Sequence, residues 1–386
     1  MSKDFKIEPA YLMDFLQAID DPRIDRTKKH ELIDILVIAI CAAICGANNW
    51  VEIEDFGHAK YDWFSQFLNL EHGVPSHDTF RRVFILLDPE EFREAFINWV
   101  KAVTQDKDLK QICIDGKALR RSFERGKNNS AIHMVNAWST GVSLSLGQMK
   151  VNDKSNEITA LPKLLKLLNV KGHIVSADAI HCQTKTAQSI LDNSGDYLLG
   201  LKGNQEYLEK RVRERFETKG GAGSRSFTRD KYKTKSKGHG RTEERVCTVF
   251  TLKKDKCWDI NPLAKWPSLN SIIEIQSKRV DNKTGVVSEE KRYYISSLKS
   301  GAKEALEAVR GHWEVENKLH WVLDVVFRED DCRSRTGYSA ENFAMLRQFA
   351  LNLIKQEPSK KSVKRKQKLS GWDEEFLLSV LLNTGI

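Results

Sequence analysis

Over roughly the first hundred residues, apolar positions recur at the three-to-four-residue spacing of amphipathic helices. Segments 9–19, 28–45, 50–69 and 89–104 carry it, with Gly46 and Gly73 among the breakers between them. Residues 35–45, ILVIAICAAIC, are apolar on every side but reach only about half the length of a membrane span, so they read as a buried core helix. From residue 109 the period changes. QICIDGKAL, AIHMVNAWS and VSLSLGQMKV are three consecutive strand-like runs and predict an antiparallel meander. NEITALPKLLKLL then predicts a helix over 157–168, GHIVSADAI a short strand ending at Asp178, 184–191 a helix, and DYLLGLKGN a strand from Asp196.

That order places a mixed sheet flanked by helices after an all-helical N-terminal region, which is the α/β layout of an RNase H-like core. The regularity breaks at residue 203. A basic helix over 206–218 runs into GGAGSRSFTRDKYKTKSKGHGRTEE, which is glycine-rich and polar, before strand-like RVCTVFTL, SIIEIQSKRV and KRYYISSL. The pattern divides the chain into a helical domain over 1–105, the first part of the core over 106–202, a basic β-rich insertion over 203–291, the second part of the core over 292–355, and a basic linker with a C-terminal helix over 356–386.

The second part of the core contains RGHWEVENKLHWVLDVVFREDD, residues 310–331. At 3.6 residues per turn Val315, Leu319, Val322, Leu323 and Val326 gather on one side, while Trp313, Asn317, His320 and Asp324 gather opposite. The spacing predicts one amphipathic helix covered on both sides, with Glu316 on the border between the two faces. Glu314 lies about 160° away from Glu316 around such a helix, toward Lys318 and solvent.

Charge sharpens this picture. The net charge of +9 is concentrated in two blocks: 202–245 holds fourteen Lys or Arg against seven Asp or Glu, and 355–368 holds seven against one. A basic chain of that distribution suits a polyanion, most often nucleic acid. Seven cysteines show no CxxC pair and no zinc spacing, which fits free thiols in a reducing compartment. The N-terminus has no apolar signal region, so the expected location is the cytosol, with no membrane partner.

Two expected strand ends carry acids. Asp115 is followed by Gly116, which lets a ligand approach the backbone, and Asp178 closes VSADA. In a sheet of this order the first strand lies beside the fourth, which brings the two aspartates together, and Glu316 arrives from the helix packed across them. A single acid at a strand end is usually just solvated, but three carboxylates in water-poor surroundings repel one another unless cations neutralise them. Oxygen ligands without nearby His or Cys pairs favour Mg2+ or Mn2+. Two such ions suit in-line displacement at phosphorus.

ICIDGKALRRS, KSNEI, SADAIHCQ, GDYLLGLKGNQ, HWEVENKLHWVLDVVFRED and the N-terminal GVPSHDTFRRVF together resemble the DDE-type insertion-sequence transposases, specifically the H-repeat-associated group. The resemblance implies that Asp115, Asp178 and Glu316 are the catalytic triad and hold two Mg2+ or Mn2+ ions. It also implies that the helical N-terminal region and the basic insertion, with Lys202, Lys237 and Arg241, hold double-stranded DNA, the element ends and the target, and that a homodimer forms on it. Related enzymes flank the glutamate with a Tyr, an Arg and a Lys; this chain has Val309, His312 and Leu323 there, so the Tyr and Lys roles do not transfer, and His312 stands in the Arg position as a phosphate contact.

Further DNA contacts are expected from local chemistry. Ser76 or Asp78 can cap a short helix displaying Arg81 and Arg82 to a groove. Lys117, Arg120 and Arg121 follow the first aspartate toward phosphates, and Gln183 lies one turn past the second. Asn317 and His320 share the cleft side of the helix, as phosphate or water contacts or as a core hydrogen-bonded pair. Trp258 and Trp266 either stack on an unpaired base or fill the insertion's own core. Two other readings keep parts of this picture: an RNase H-like nuclease or junction resolvase, and a catalytically silent DNA-binding relic.

Overall fold

The structure, a computed structural model, describes residues 10–25, 28–122, 131–151, 157–217, 226–238, 240–253, 256 and 263–382. Its N-terminal helices are α1 (Ala10–Gln17), α2 (Leu32–Ile44), α3 (Trp50–Ala59), α4 (Tyr61–Phe64), α5 (His77–Leu86) and α6 (Pro89–Thr104). Local chemistry sets their starts. Asn49 accepts from the Glu52 N–H, Ser76 from Thr79 and Asp88 from Glu90, so Ser76 rather than Asp78 caps α5. In α2 twelve of thirteen residues are buried, as its uninterrupted apolar run requires.

Among the described residues nine strands follow: β1 (Gln111–Leu119), β2 (Ile132–Ser139), β3 (Leu144–Lys150), β4 (Ile174–Ala177), β5 (Asp196–Leu201), β6 (Phe227–Gly238), β7 (Arg241–Leu252), β8 (Ser271–Asp281) and β9 (Val287–Ser296). They make one sheet in the order β3-β2-β1-β4-β5-β9-β8-β7-β6. The meander β1-β2-β3 is antiparallel, and β4 runs parallel to both β1 and β5. With α7 (Glu157–Leu167) and α8 (Thr184–Asp192) this is the RNase H-like core. The strands of the insertion do not stand apart from it: β9 pairs antiparallel with β5, and β8, β7 and β6 continue the same sheet outward.

Strand β6 was not legible as a strand. Arg229, Lys231, Lys233, Lys235 and Lys237 alternate with small or polar residues, and nearly every position is exposed, so no apolar face marks the period. It is an edge strand, where lysines discourage pairing with a second chain.

The segment 310–331 departs from a single helix. Helix α10 (Ala302–His312) begins earlier than expected, a π-helical turn occupies Glu316–His320, α11 (Trp321–Val325) follows, and Glu329–Asp331 closes the run as a 3-10 turn. The extra residue in a π turn changes the phase of the side chains. Val315, Leu319, Val322 and Leu323 remain buried, but Trp313 and Trp321 are 45% and 55% exposed, so the second face is open there while His320 on it is buried.

Helix α12 (Ser339–Gln356) has sixteen buried residues out of eighteen and packs against both α2 and β3. Its polar residues are matched to the sheet: Gln348 donates to Asn136 and Gln148, and Asn352 donates to the Ser145 carbonyl while accepting its N–H. The expected basic linker is instead a helix, α13 (Val363–Trp372), capped by Ser362 and followed by α14 (Glu374–Leu382). Its Lys366 is buried with its ammonium 3.0 Å from the Glu357 carboxylate, which anchors the segment to the end of α12.

Candidate active site

Parallel pairing sets the two aspartates side by side. Ile114 lies opposite Ala177 across β1 and β4, so the next residues, Asp115 and Asp178, emerge at neighbouring positions of the two strands. Asp178 leads into a 3-10 turn, Ala179–His181. The π turn supplies Glu316. All three carboxylates line one cleft of about 670 Å3, together with Lys202, Arg292, Tyr294, His312 and Trp313. Glu314, by contrast, pairs with Lys318 at 2.8 Å and faces a different hollow.

The π turn also places His320 against the carboxylates. Its Nδ1 is 3.2 Å from Glu316 Oε2 and 3.5 Å from Asp115 Oδ2, and the ring is only 4% exposed. Among the described residues, Asp115, Glu316 and His320 bring one potential ligand atom each within 4.8 Å of one another. Right-angled coordination at roughly 2.2 Å would separate ligand atoms by about 3.1 Å, so these groups fit a divalent ion. Asp178 lines the same cleft outside that close group.

Beside His320 lies an ion-pair cluster. Lys117 follows Asp115 by two residues and so shares its face of β1. Its ammonium bonds to both Asp324 and Glu329. The main chain makes this possible: Arg328 takes a left-handed conformation, φ 50°, and turns Glu329 back beneath α11. Burial opposes the charge on Lys117, yet its two carboxylates hold its pKa above the ordinary value. Asp324 is nonetheless pushed up, by burial first and then by the nearby Asp330 and Glu329, against the pull of Lys117. In the turn just past the end of that strand, Arg120 meets Asp330 at 3.4 Å and Arg121 meets Asp331 at 3.5 Å.

These contacts correct part of the sequence reading. Lys117 is turned inward onto Asp324 and Glu329, while Arg120 and Arg121 are on the surface and face acids of the 329–331 turn. His320 is buried, with its Nδ1 against two of the cleft carboxylates. His312 lines the cleft while its Nδ1 lies 3.0 Å from Ser176 Oγ on β4. Burial and the nearby His320 push its pKa down to about 4. Gln183 is half-buried and accepts from Gln205. Asn317, Arg81, Arg82, Lys202, Lys237 and Arg241 are exposed. Trp266 is buried, but in the main core shared with the rest of the sheet rather than in a core of the insertion's own, and Trp258 lies outside the described residues.

A second basic feature escaped the sequence reading. On one face of the extended sheet, Cys247, Val249, Ile273 and Ile275 are apolar and covered by α10. Where the strands outrun that helix, the same face turns cationic. Arg241, Arg245, Arg279, Arg292 and Arg310 line a hollow of about 430 Å3 against two acids, Glu243 and Glu290. Arg245 and Arg279 share the Glu243 carboxylate. Arg292 pairs with Glu290 and lies 4.3 Å over the Trp313 ring. Burial, with Arg310 and Arg279 close by, pulls Arg245 down despite Glu243. The hollow adjoins the carboxylate cleft through Glu290, Arg292, Tyr294 and Trp313, which line both. The available signal was the alternation Arg241, Glu243, Arg245 on β7, which puts all three on one face.

Family profiles and sequence relatives agree with this layout. A family profile described as Transposase DDE domain matches residues 106–353, and one described as DDE_Tnp_1-associated matches residues 13–100. The chain is 40% identical over 387 residues to the H repeat-associated putative transposase YhhI of Escherichia coli (strain K12), covering 98% of this chain and 100% of that one. It is 40% identical over 374 residues to the putative transposase YncI of Escherichia coli O157:H7, covering 96% and 94%. Among solved structures, a piggyBac transposase in a synaptic complex with hairpin DNA, determined by cryo-EM, aligns with 96% of this chain and 80% of its own at 12% identity and a TM-score of 0.41. Among the described residues, no helix is long and apolar enough to cross a membrane.

Proposed function

The chain belongs to the DDE transposase family, and from that premise we propose that it cuts the ends of an insertion sequence and joins the freed 3′-hydroxyls to target DNA by two-metal-ion phosphoryl transfer. The observation that carries this reading is the shared cleft, into which two neighbouring strands and the π turn each bring one carboxylate. The family implies divalent metal, which when bound neutralises the carboxylates and polarises the phosphodiester under attack. Asp115, Asp178 and Glu316 are the residues to hold it.

Two displacements at phosphorus account for the reaction. Water gives up a proton and attacks at the element end; the bond to the 3′ oxygen breaks, leaving a 3′-hydroxyl and a 5′-phosphate. The 3′-hydroxyl then attacks a target phosphodiester and expels the target's own 3′ oxygen, so one ester replaces another without an external energy source. Lys202 and Arg292 on the cleft wall bind the phosphates of the strand being cut. Trp313 and the arginine hollow extend that track, and Arg81 and Arg82 on α5 contact the duplex farther away. Cutting two ends together calls for a pair of chains on DNA.

Labelled element-end DNA with Mg2+ or Mn2+ tests the reading. The chain should nick it, and Asp115→Asn, Asp178→Asn and Glu316→Gln should each reduce cleavage by a thousandfold or more, on the order expected when transition-state charge loses its stabilisation, while DNA binding persists. Equal cleavage by wild type and all three variants would sink the assignment. Nicks without joined products under any condition would favour a nuclease instead.

A further inference from the structure

An all-oxygen ligand set was the expectation from the sequence, yet the fold inserts a nitrogen. We propose that His320 is a direct ligand, through Nδ1, of the ion held between Asp115 and Glu316, and that this mixed nitrogen–oxygen set makes the site prefer Mn2+ to Mg2+. The proposal rests on the transposase reading of the cleft and adds to it the identity of a ligand and the metal it selects.

Three observations support it. First, His320 Nδ1 stands 3.2 Å from one carboxylate oxygen and 3.5 Å from the other, spacings close to the roughly 3.1 Å between neighbouring ligands of an octahedral ion. Second, the ring has little freedom to leave. It is 4% exposed, and its other nitrogen, Nε2, is buried with no hydrogen-bond partner among the described residues. Its polar anchorage is therefore on the Nδ1 side, where both neighbours are carboxylates of the cleft. Third, Glu316 and His320 stand four residues apart on one side of the segment within a π turn, and single π turns inside α-helices recur at functional sites.

The metal preference follows from ligand chemistry. Mg2+ is small, demands near-ideal octahedral geometry and usually keeps water and carboxylate oxygens. Imidazole suits the later divalent ions better, and Mn2+ accepts it while retaining oxygen ligands. Lys117 and Glu329, ion-paired to each other, lie near the ring, and the ring itself is buried.

Electron spin-echo spectroscopy on the Mn2+-loaded full chain, without DNA, reads the ligand directly. The wild type should show modulation from a coordinated 14N that changes to the 15N pattern when the protein is grown on 15N-histidine, a readout that needs no substitution. His320→Ala should lose the modulation, and its Mn2+ affinity should fall on the order of tenfold or more, while Mg2+ affinity changes far less. His312→Gln, the other cleft histidine, should keep the modulation. Absence of nitrogen coupling in the wild type, or its survival in His320→Ala, overturns the proposal and leaves His320 as a hydrogen-bond partner of Glu316. A chain that cuts DNA without nitrogen coupling sinks only this proposal; one that shows the coupling but never cuts DNA sinks only the transposase reading.

Discussion

Lys117 shares a face of β1 with Asp115 and is enclosed between Asp324 and Glu329, with 8% of its side chain exposed. Removing it strands two carboxylates in a site where Glu329 is 3% exposed. Breaking a buried ion pair by deleting one partner costs about 3–5 kcal/mol. Lys117→Met should therefore lower stability by that order in urea denaturation, and adding Glu329→Leu should recover part of it. An unchanged midpoint would show that the cluster is solvated. The sequence assigned Lys117 to phosphate because it follows Asp115 in a basic stretch; its partners lie 207 and 212 residues away, beyond any local pattern. His320 is the reverse case. Its place on the cleft side was legible from periodicity, but its distance to Asp115 depends on how the turn docks on the strand.

The element that carries Glu316 is a helix broken by one π turn, and a 3.6-residue projection cannot foresee that break. The projection still kept Glu316 and Glu314 apart, and in the structure they open on different hollows. The insertion strands teach the complementary lesson. Strands β7, β8 and β9 were legible because their halves nearest the core are apolar, whereas β6 is polar on both faces. The arginine hollow arises because the strands are longer than the helix covering them, a comparison of two lengths that meet only in the fold. Arg245→Gln combined with Arg279→Gln should weaken binding to element-end DNA about tenfold and reduce the salt slope by about 2, one for each phosphate no longer neutralised. Fluorescence anisotropy over a salt series checks this, and an unchanged slope would remove the hollow from the DNA path.

Across the whole molecule, one apolar core runs from α1 through α2 and α12 to the sheet. The helical N-terminal region is thus packed into the body. Phe349 of α12 shows the join: it is fully buried, stacks with Phe92 and Trp99 of α6 and meets Phe96 edge-on. Phe349→Ala should cost about 3–5 kcal/mol. It should also shift a single unfolding transition reported alike by N-terminal and sheet probes. Two separate transitions, with only one moved, would show that the helical region folds by itself.

Element order, the meander, the buried α2 and the strands that carry Asp115 and lead into Asp178 were set by local periodicity, because the apolar spacing of a strand or helix is written within a dozen residues; Asp115, expected at a strand end, instead lies mid-strand, because β1 runs on to Leu119 in pairing with β2. The family resemblance lay in short motifs for the same reason. Tertiary structure alone decided the rest: that Lys117 is a buried counter-charge, that His320 reaches Asp115, that five arginines share one hollow and that the insertion prolongs the core sheet. Each of these depends on which distant surfaces meet, and burial and charge pairing acquire their sign only once those surfaces have met.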